Sequence, residues 1–215
     1  MSRNRRLNIF IFCLGVCCSV AVTGCYSRMA SAVKLKPYSR GQTLAPQETI
    51  IVGVVELKPP LKKEEQKSRS VIRVRDYVNK VLLTFHTKPM GIEYKPGDSM
   101  FKYKDEKFHN HESELGQPFY LRWQGSKGYF LQGLITLSDL GHELVLPGSG
   151  KINLRPEDKA VYIGRLRYHR NEYNEITRLQ VVDDFGKERK IFAKNFSRKY
   201  KLVKRLAKSV RYPED

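Results

Sequence analysis

Acidic residues are missing from the start of this 215-residue chain, which has no Asp or Glu before Glu48. Cysteine is sparse: there are four, Cys13, Cys17, Cys18 and Cys25, and none follows. A disulfide framework, a Cys-ligated zinc site and a thiol nucleophile are thereby excluded from everything after residue 25. No apolar run beyond the first two dozen residues reaches membrane-spanning length, which excludes a polytopic bundle of membrane helices. Gly (15) and Pro (10) stand at ordinary levels, so collagen-like and low-complexity readings fail as well. What is abundant is positive charge, 40 Lys+Arg against 22 Asp+Glu, a formal +18. With 40% apolar and 11% aromatic residues, a chain of this length can bury one sizeable core.

The first two dozen residues have the order of a secretory leader. Arg3, Arg5 and Arg6 form a basic head, and Leu7 to Gly24 is apolar apart from Asn8, Ser19 and Thr23. As a helix that stretch would be about 27 Å long, marginal for a permanent span. A retained anchor would also set Arg28, Lys34, Lys36 and Arg40 on the translocated side, against the usual charge bias. Val22-Thr23-Gly24-Cys25 resembles the lipobox of bacterial lipoproteins. That resemblance implies a diacylglycerol on the Cys25 thiol, cleavage after Gly24 and acylation, as with palmitate, of the new amine. One acyl chain holds a protein to a membrane only marginally, at about 0.8 kcal/mol per buried CH₂, whereas two or three hold it firmly. Tyr26 after the cysteine resembles lipoproteins sorted to an outer membrane.

Without residues 1–24 the chain keeps 37 basic against 22 acidic residues. In a cytoplasmic protein this would suggest nucleic acid, which export argues against. The expected partners are the membrane itself, anionic lipid, phosphorylated glycolipid, cell-wall polymer or an acidic envelope protein.

Residues 25–47 read as a lipidated, flexible tether, and 48–184 as a mainly β domain, an antiparallel sandwich. Its first strand is the β-branched run 49–57, ended by Lys58-Pro59-Pro60. Val71 to Phe85 fits a helical stripe, although Val81–Phe85 reads as a strand, the reading favoured here. Residues 89–116 form a polar excursion. Further strands are expected at 119–123, 129–137, 143–146, 151–154, 161–169 and 176–182, with a tight turn at Pro147-Gly148-Ser149-Gly150. Residues 185–215 read as a basic helical segment, with Asp184 as its N-cap and Phe185, Phe192 and Phe196 on one face. Val203, Leu206 and Val210 continue that stripe, and Lys201, Lys204, Arg205 and Lys208 fall opposite it. This is the pattern of a helix lying on an anionic surface, and equally of a helix whose apolar face packs on the protein's own sheet with its charges solvated. Gly128-Tyr129-Phe130, Leu146–Lys151, Val161–Leu166 and Val182–Phe185 resemble a group of uncharacterised bacterial lipoproteins. The resemblance covers 118–196 and implies a prealbumin-like or immunoglobulin-like β-sandwich without an assigned activity.

Few constellations suggest chemistry. His109 and His111 would share one face of a strand and, with His142 or His86, could hold zinc for a metal-dependent enzyme. In a polar excursion, solvated loop histidines account for the same residues. Gly148-Ser149-Gly150-Lys151-Ile152 lacks the first glycine and the Ser/Thr of a phosphate loop. Asp183-Asp184 and Glu172/Glu175 are carboxylate pairs in positions where turn and capping roles suffice. No nucleophile elbow or triad spacing occurs. The sequence therefore leads to a non-enzymatic, lipid-anchored envelope protein without cofactor. A metal-dependent enzyme and a purely structural subunit of an envelope complex are the alternatives.

Overall fold

Isoleucine and valine crowd positions 50–55, and in the computed structural model of the protein they fill the middle of a strand, β2 (Glu48–Lys58), buried on both faces. The structure describes residues 31–66, 80–87, 107–137, 143–196 and 199–211. Ser31 and Lys107 apart, every described residue belongs to one compact unit, Ala32–Gly97 with Phe108–Asp215. Around β2 the described elements are β1 (Ser31–Lys34), α1 (Lys63–Gln66), β3 (Lys80–His86), β4 (Lys107–Glu114), β5 (Pro118–Gln124), β6 (Gly128–Thr136) and β7 (Glu143–Ile152). There follow β8 (Ala160–Arg170), β9 (Ile176–Val182), α2 (Phe185–Phe196), β10 (Leu202–Lys204) and β11 (Val210–Arg211). The protein is mainly β, with a first sheet ordered β1-β4-β3-β6-β7 and a second ordered β11-β9-β8-β2-β5, where β10 also pairs with β8.

Side chains of β2 alternate between two cores. Ile51, Val55 and Leu57 point between the sheets, toward Leu83 and Phe85 of β3, Phe130 of β6 and Leu146 of β7. Ile50 and Val52 point the other way, toward Tyr162, Phe192 and Phe196. Double burial explains why the run shows no polar alternation. Each such aliphatic or aromatic side chain contributes about 1.5–3 kcal/mol. β2 is antiparallel to β5 but parallel to β8, with Ile50 opposite Ala160. The second sheet is thus mixed, which corrects the all-antiparallel expectation. β3, β4, β6 and β7 of the first sheet lie in the connection between β2 and β8, long enough to bring two strands side by side in the same direction.

Three further expectations are corrected. Residues 31–47 are not a free tether: Tyr38 and Leu44 are buried. Leu35 donates to Asn110 of β4 (2.7 Å) and Tyr38 to Tyr120 of β5 (2.7 Å), so this segment links the edges of the two sheets. Pro147–Gly150 is not a turn but a bulged stretch inside the single strand β7. A Cβ at Gly148 would lie 2.1 Å from the Phe130 carbonyl oxygen, so only glycine lets the two backbones come this close. Finally, the polar excursion contains β4, Lys107–Glu114, paired with both β1 and β3. The strand at Val81–Phe85 is found as expected, as β3.

The C-terminal segment is helical only to Phe196; residues 202–204 are the strand β10, parallel to Ala160–Tyr162 of β8. Pairing continues as Arg205 and Ala207 donate to the carbonyls of Tyr162 (2.9 Å) and Ile163 (2.8 Å). β9 covers β8 only from Arg165 onward, leaving the backbone of Ala160–Gly164 to be satisfied. Those groups outweigh the helical spacing of Val203 and Leu206. The exchange of neighbours occurs at Gly164, whose φ of +108° and whose 2.5 Å approach to Val181 Cγ1, measured from an added Cβ, both require glycine.

Candidate functional site

Helix α2 lies over the outer face of the second sheet. Asp184 accepts the first helical bonds through its carbonyl, from Lys187 and Glu188 (both 3.0 Å). The side chain that caps is that of its neighbour: Asp183 Oδ1 takes the Phe185 N–H at 3.0 Å. Phe192 and Phe196 are buried against Tyr120 and Tyr38, with Phe196 4.3 Å from Tyr120 between ring centroids. Lys187, Lys190 and Lys194 are exposed and fall within about 60° of one another on the opposite side of the helix, at 3.6 residues per turn.

The four cations expected on a helical face are placed differently. Lys201 and Lys208 are exposed. Lys204 bonds Asp183 at 2.8 Å, and Arg205 bonds the buried carboxylate of Asp158 at 3.0 Å. They belong to β10 and the extended chain around it, and two of them serve to pin that chain down. Lys187, Lys190 and Lys194 form an exposed basic face of α2; Lys201 and Lys208 in the chain that follows are exposed too, as is Arg40 on the segment that packs beside Phe196. A helical projection confined to 185–196 sets the α2 lysines on one face, whereas one extended to 210 singles out the four later cations.

The described acids around the start of α2 lie against Arg165, Arg167 or Lys204. Arg165 bonds Asp184 (2.8 Å) and Glu56 (2.9 Å) and lies 3.8 Å from Glu188. Burial opposes the Arg165 charge, but the bonds to Glu56 and Asp184 prevail and raise its pKa. Burial likewise opposes the charge of Glu56, and Arg167 and Arg165 together more than offset it, holding its pKa below the ordinary value. The Lys204 bond, followed by the Phe185 N–H, lowers the pKa of Asp183. Glu188 is the exception: it is 1% exposed, and burial raises its pKa against the pull of Arg165. Among the described residues, the exposed lysines of α2 have no acid bonded to them.

His109 and His111 do share a face of β4, but as part of the folded sheet rather than a solvated loop. The His109 ring packs on Trp123 at 5.2 Å and the His111 ring on Phe119 at 6.0 Å. Burial lowers the pKa of His111, so the ring is neutral and serves as an aromatic filler. His86 packs on Phe108 at 5.6 Å, and His142 lies outside the described residues. Among the described residues no three His, Cys, Asp or Glu side chains are grouped as metal ligands. Asp183 and Asp184 have the capping and pairing roles given above. Glu172 and Glu175 are exposed in a turn closed by Asn171 Oδ1, which accepts from the Tyr173 (3.0 Å) and Glu175 (2.9 Å) N–H groups.

Cys25, the leader 1–24 and Tyr26 lie outside the described residues. Among the described residues no helix is long and apolar enough to cross a membrane. No protein-family model matches the chain, and comparison with curated proteins and with solved structures gives no match either.

Proposed function

We propose that this is a non-enzymatic, lipid-anchored protein of the bacterial cell envelope that binds an anionic surface through the basic face of α2 and the neighbouring extended chain. The observation that carries this reading is the cluster of exposed lysines on α2, beside acids already bonded to other partners. Each lysine near an anionic leaflet gains about 1 kcal/mol, so three to five act together only where the surface is densely charged. The leader and Cys25 support the anchor. The first described strand begins six residues beyond Cys25, a separation that at ~3.5 Å per residue spans about 20 Å at most. Acylation would therefore keep the domain against the bilayer. The two-sheet architecture is compatible with the prealbumin-like or immunoglobulin-like sandwich of the lipoproteins that residues 118–196 resemble.

Co-sedimentation of the purified protein with vesicles containing phosphatidylglycerol, with neutral vesicles and with purified cell wall tests the binding. The expected result is retention on an anionic phase at low salt, lost at high salt and lost in Lys187→Glu/Lys190→Glu/Lys194→Glu. Binding that survives the triple substitution would sink the proposal. For the anchor, Cys25→Ala should leave an unprocessed, unacylated precursor. A variant still cut after Gly24 would overturn that part alone.

A further inference from the structure

A second site lies at the C-terminal end of β2, just beyond the start of β5. On the β5 side, pairing of β2 stops at Val55, whose carbonyl accepts from the Gly116 N–H at 2.7 Å. Backbone groups alternate sides along a strand, so Leu57 turns its N–H toward this same open edge, where no described residue pairs with it. A cleft of about 490 Å³ opens there, lined by Glu56, Leu57, Lys58, Leu61, Leu115 and Arg167 among others. That volume lies within the ~300–1,000 Å³ typical of small-molecule sites.

The lining has two parts. Leu57, Leu61 and Leu115 supply an apolar wall. Glu56 and Lys58 leave β2 on one face, and Arg167, opposite Glu56 in register, leaves β8 on the same face. Glu56 is saturated, one carboxylate oxygen taking Arg165 and the other Arg167 Nε. Arg167 spends only that nitrogen; its two terminal nitrogens, like Lys58 Nζ, bond nothing among the described residues. The cleft thus offers two cations with spare donors, one free backbone N–H and an apolar wall, with its sole carboxylate already neutralised. Its floor is fixed from below. The buried Arg170 bonds both carboxylate oxygens of Glu65 (2.8 Å each), the carbonyls of Pro59 (3.1 Å) and Pro60 (2.9 Å), and Asn174. The Arg170 bond holds the Glu65 carboxyl down to about 2. The turn carrying Leu61 is therefore set before any ligand arrives, which lowers the ordering cost of binding.

We propose that this cleft binds an amphipathic anion, a carboxylate or phosphate head on a short apolar chain. Lys58, the Arg167 guanidinium and the Leu57 N–H hold the head, and the chain lies along Leu61 and Leu115. The site depends neither on the basic face of α2 nor on acylation of Cys25.

Titration calorimetry on the purified protein with octanoate and octyl phosphate, below their micelle concentrations, is the test. Acetate, inorganic phosphate and octylammonium serve as controls for head, chain and charge. One or both octyl anions should bind, the preferred head naming the ligand class, while acetate, phosphate and octylammonium should not. Lys58→Ala should weaken binding about tenfold, the loss of one charge-assisted contact, and Leu115→Asp should abolish it. Lys194→Ala, on the separate basic face, should change nothing. Lys58 is exposed, so its variant should keep the parent's unfolding midpoint. Failure of both octyl anions to bind at millimolar concentration, equal binding of octylammonium, or full affinity in Lys58→Ala would each overturn the proposal.

Discussion

The core between the two sheets and the smaller core beneath α2 draw on the same strands in alternation, yet they bury different things. Between the sheets lie Phe85, Trp123 and Phe130, with the Trp123 indole N–H given to the Lys127 carbonyl at 3.0 Å and the Tyr168 hydroxyl to that of Pro147 at 2.7 Å. Beneath α2, Glu188 Oε2 is buried with no hydrogen-bond partner. The hydroxyls of Tyr120, beside Asn195, and Tyr162, beside the Asp184 backbone, are buried there without a well-formed bond. Burial, with the nearby Glu188 charge, pushes both tyrosines up to about 12. A buried group left unbonded costs about 1–3 kcal/mol. The inter-sheet core therefore holds the fold together, whereas the α2 core holds on one helix under an electrostatic cost.

The contrast can be broken in three places. Removing the largest inter-sheet side chain, as Trp123→Ala, should cost roughly 4 kcal/mol and lower the whole urea transition. Phe192→Ala should cost less, about 3 kcal/mol or below, because α2 can leave its seat while the sheets stay folded. Hydrogen exchange separates the two cases: amides of 185–196 should lose protection in Phe192→Ala while those of β3 and β6 keep theirs. Exchange of all three together would mean a single cooperative core. The smallest effect is expected from Glu188→Gln. Because burial raises the pKa of Glu188, its charged form is disfavoured in the fold, and that cost is present at neutral pH and relieved as pH falls through the raised pKa. The variant should melt higher than the parent at pH 7 and level with it at pH 4. An equal gap at both values would show that the attraction of Arg165 cancels the burial cost.

Much of the architecture was legible in the sequence, because β2, β3, β5, β6, β8 and β9 carry β-branched or aromatic runs bounded by turn residues. β4 was not: Lys107–Glu114 reads as polar because its inward residues are His109, His111 and Ser113 instead of aliphatics. The imidazole rings pack on Trp123 and Phe119 there, and no hydropathy pattern reveals that. Residues 202–207 misled in the other direction. Their apolar spacing suits a helix, but the bare edge of β8 decides their conformation from 40 residues away in sequence. The basic face was legible in kind and not in membership, since which lysines are exposed depends on where α2 ends. The cleft at Lys58 and Arg167 could not be read at all. It arises where β5 stops short of the end of β2, and β8 supplies its second cation from more than 100 residues away.

The pairing of Ile50 with Ala160, completed by Leu202 on the far side of Ala160, also sets an order of events in time. β2 has no neighbour on its β8 side until residue 160 has been made. The edge of that neighbour stays open until residues 202–207 arrive. Long-range pairings of this kind slow folding. A chain built this way completes its second sheet only once residues 202–207 are available. Removing everything from Leu202 onward would leave the start of β8 as an exposed edge able to pair with another copy of itself.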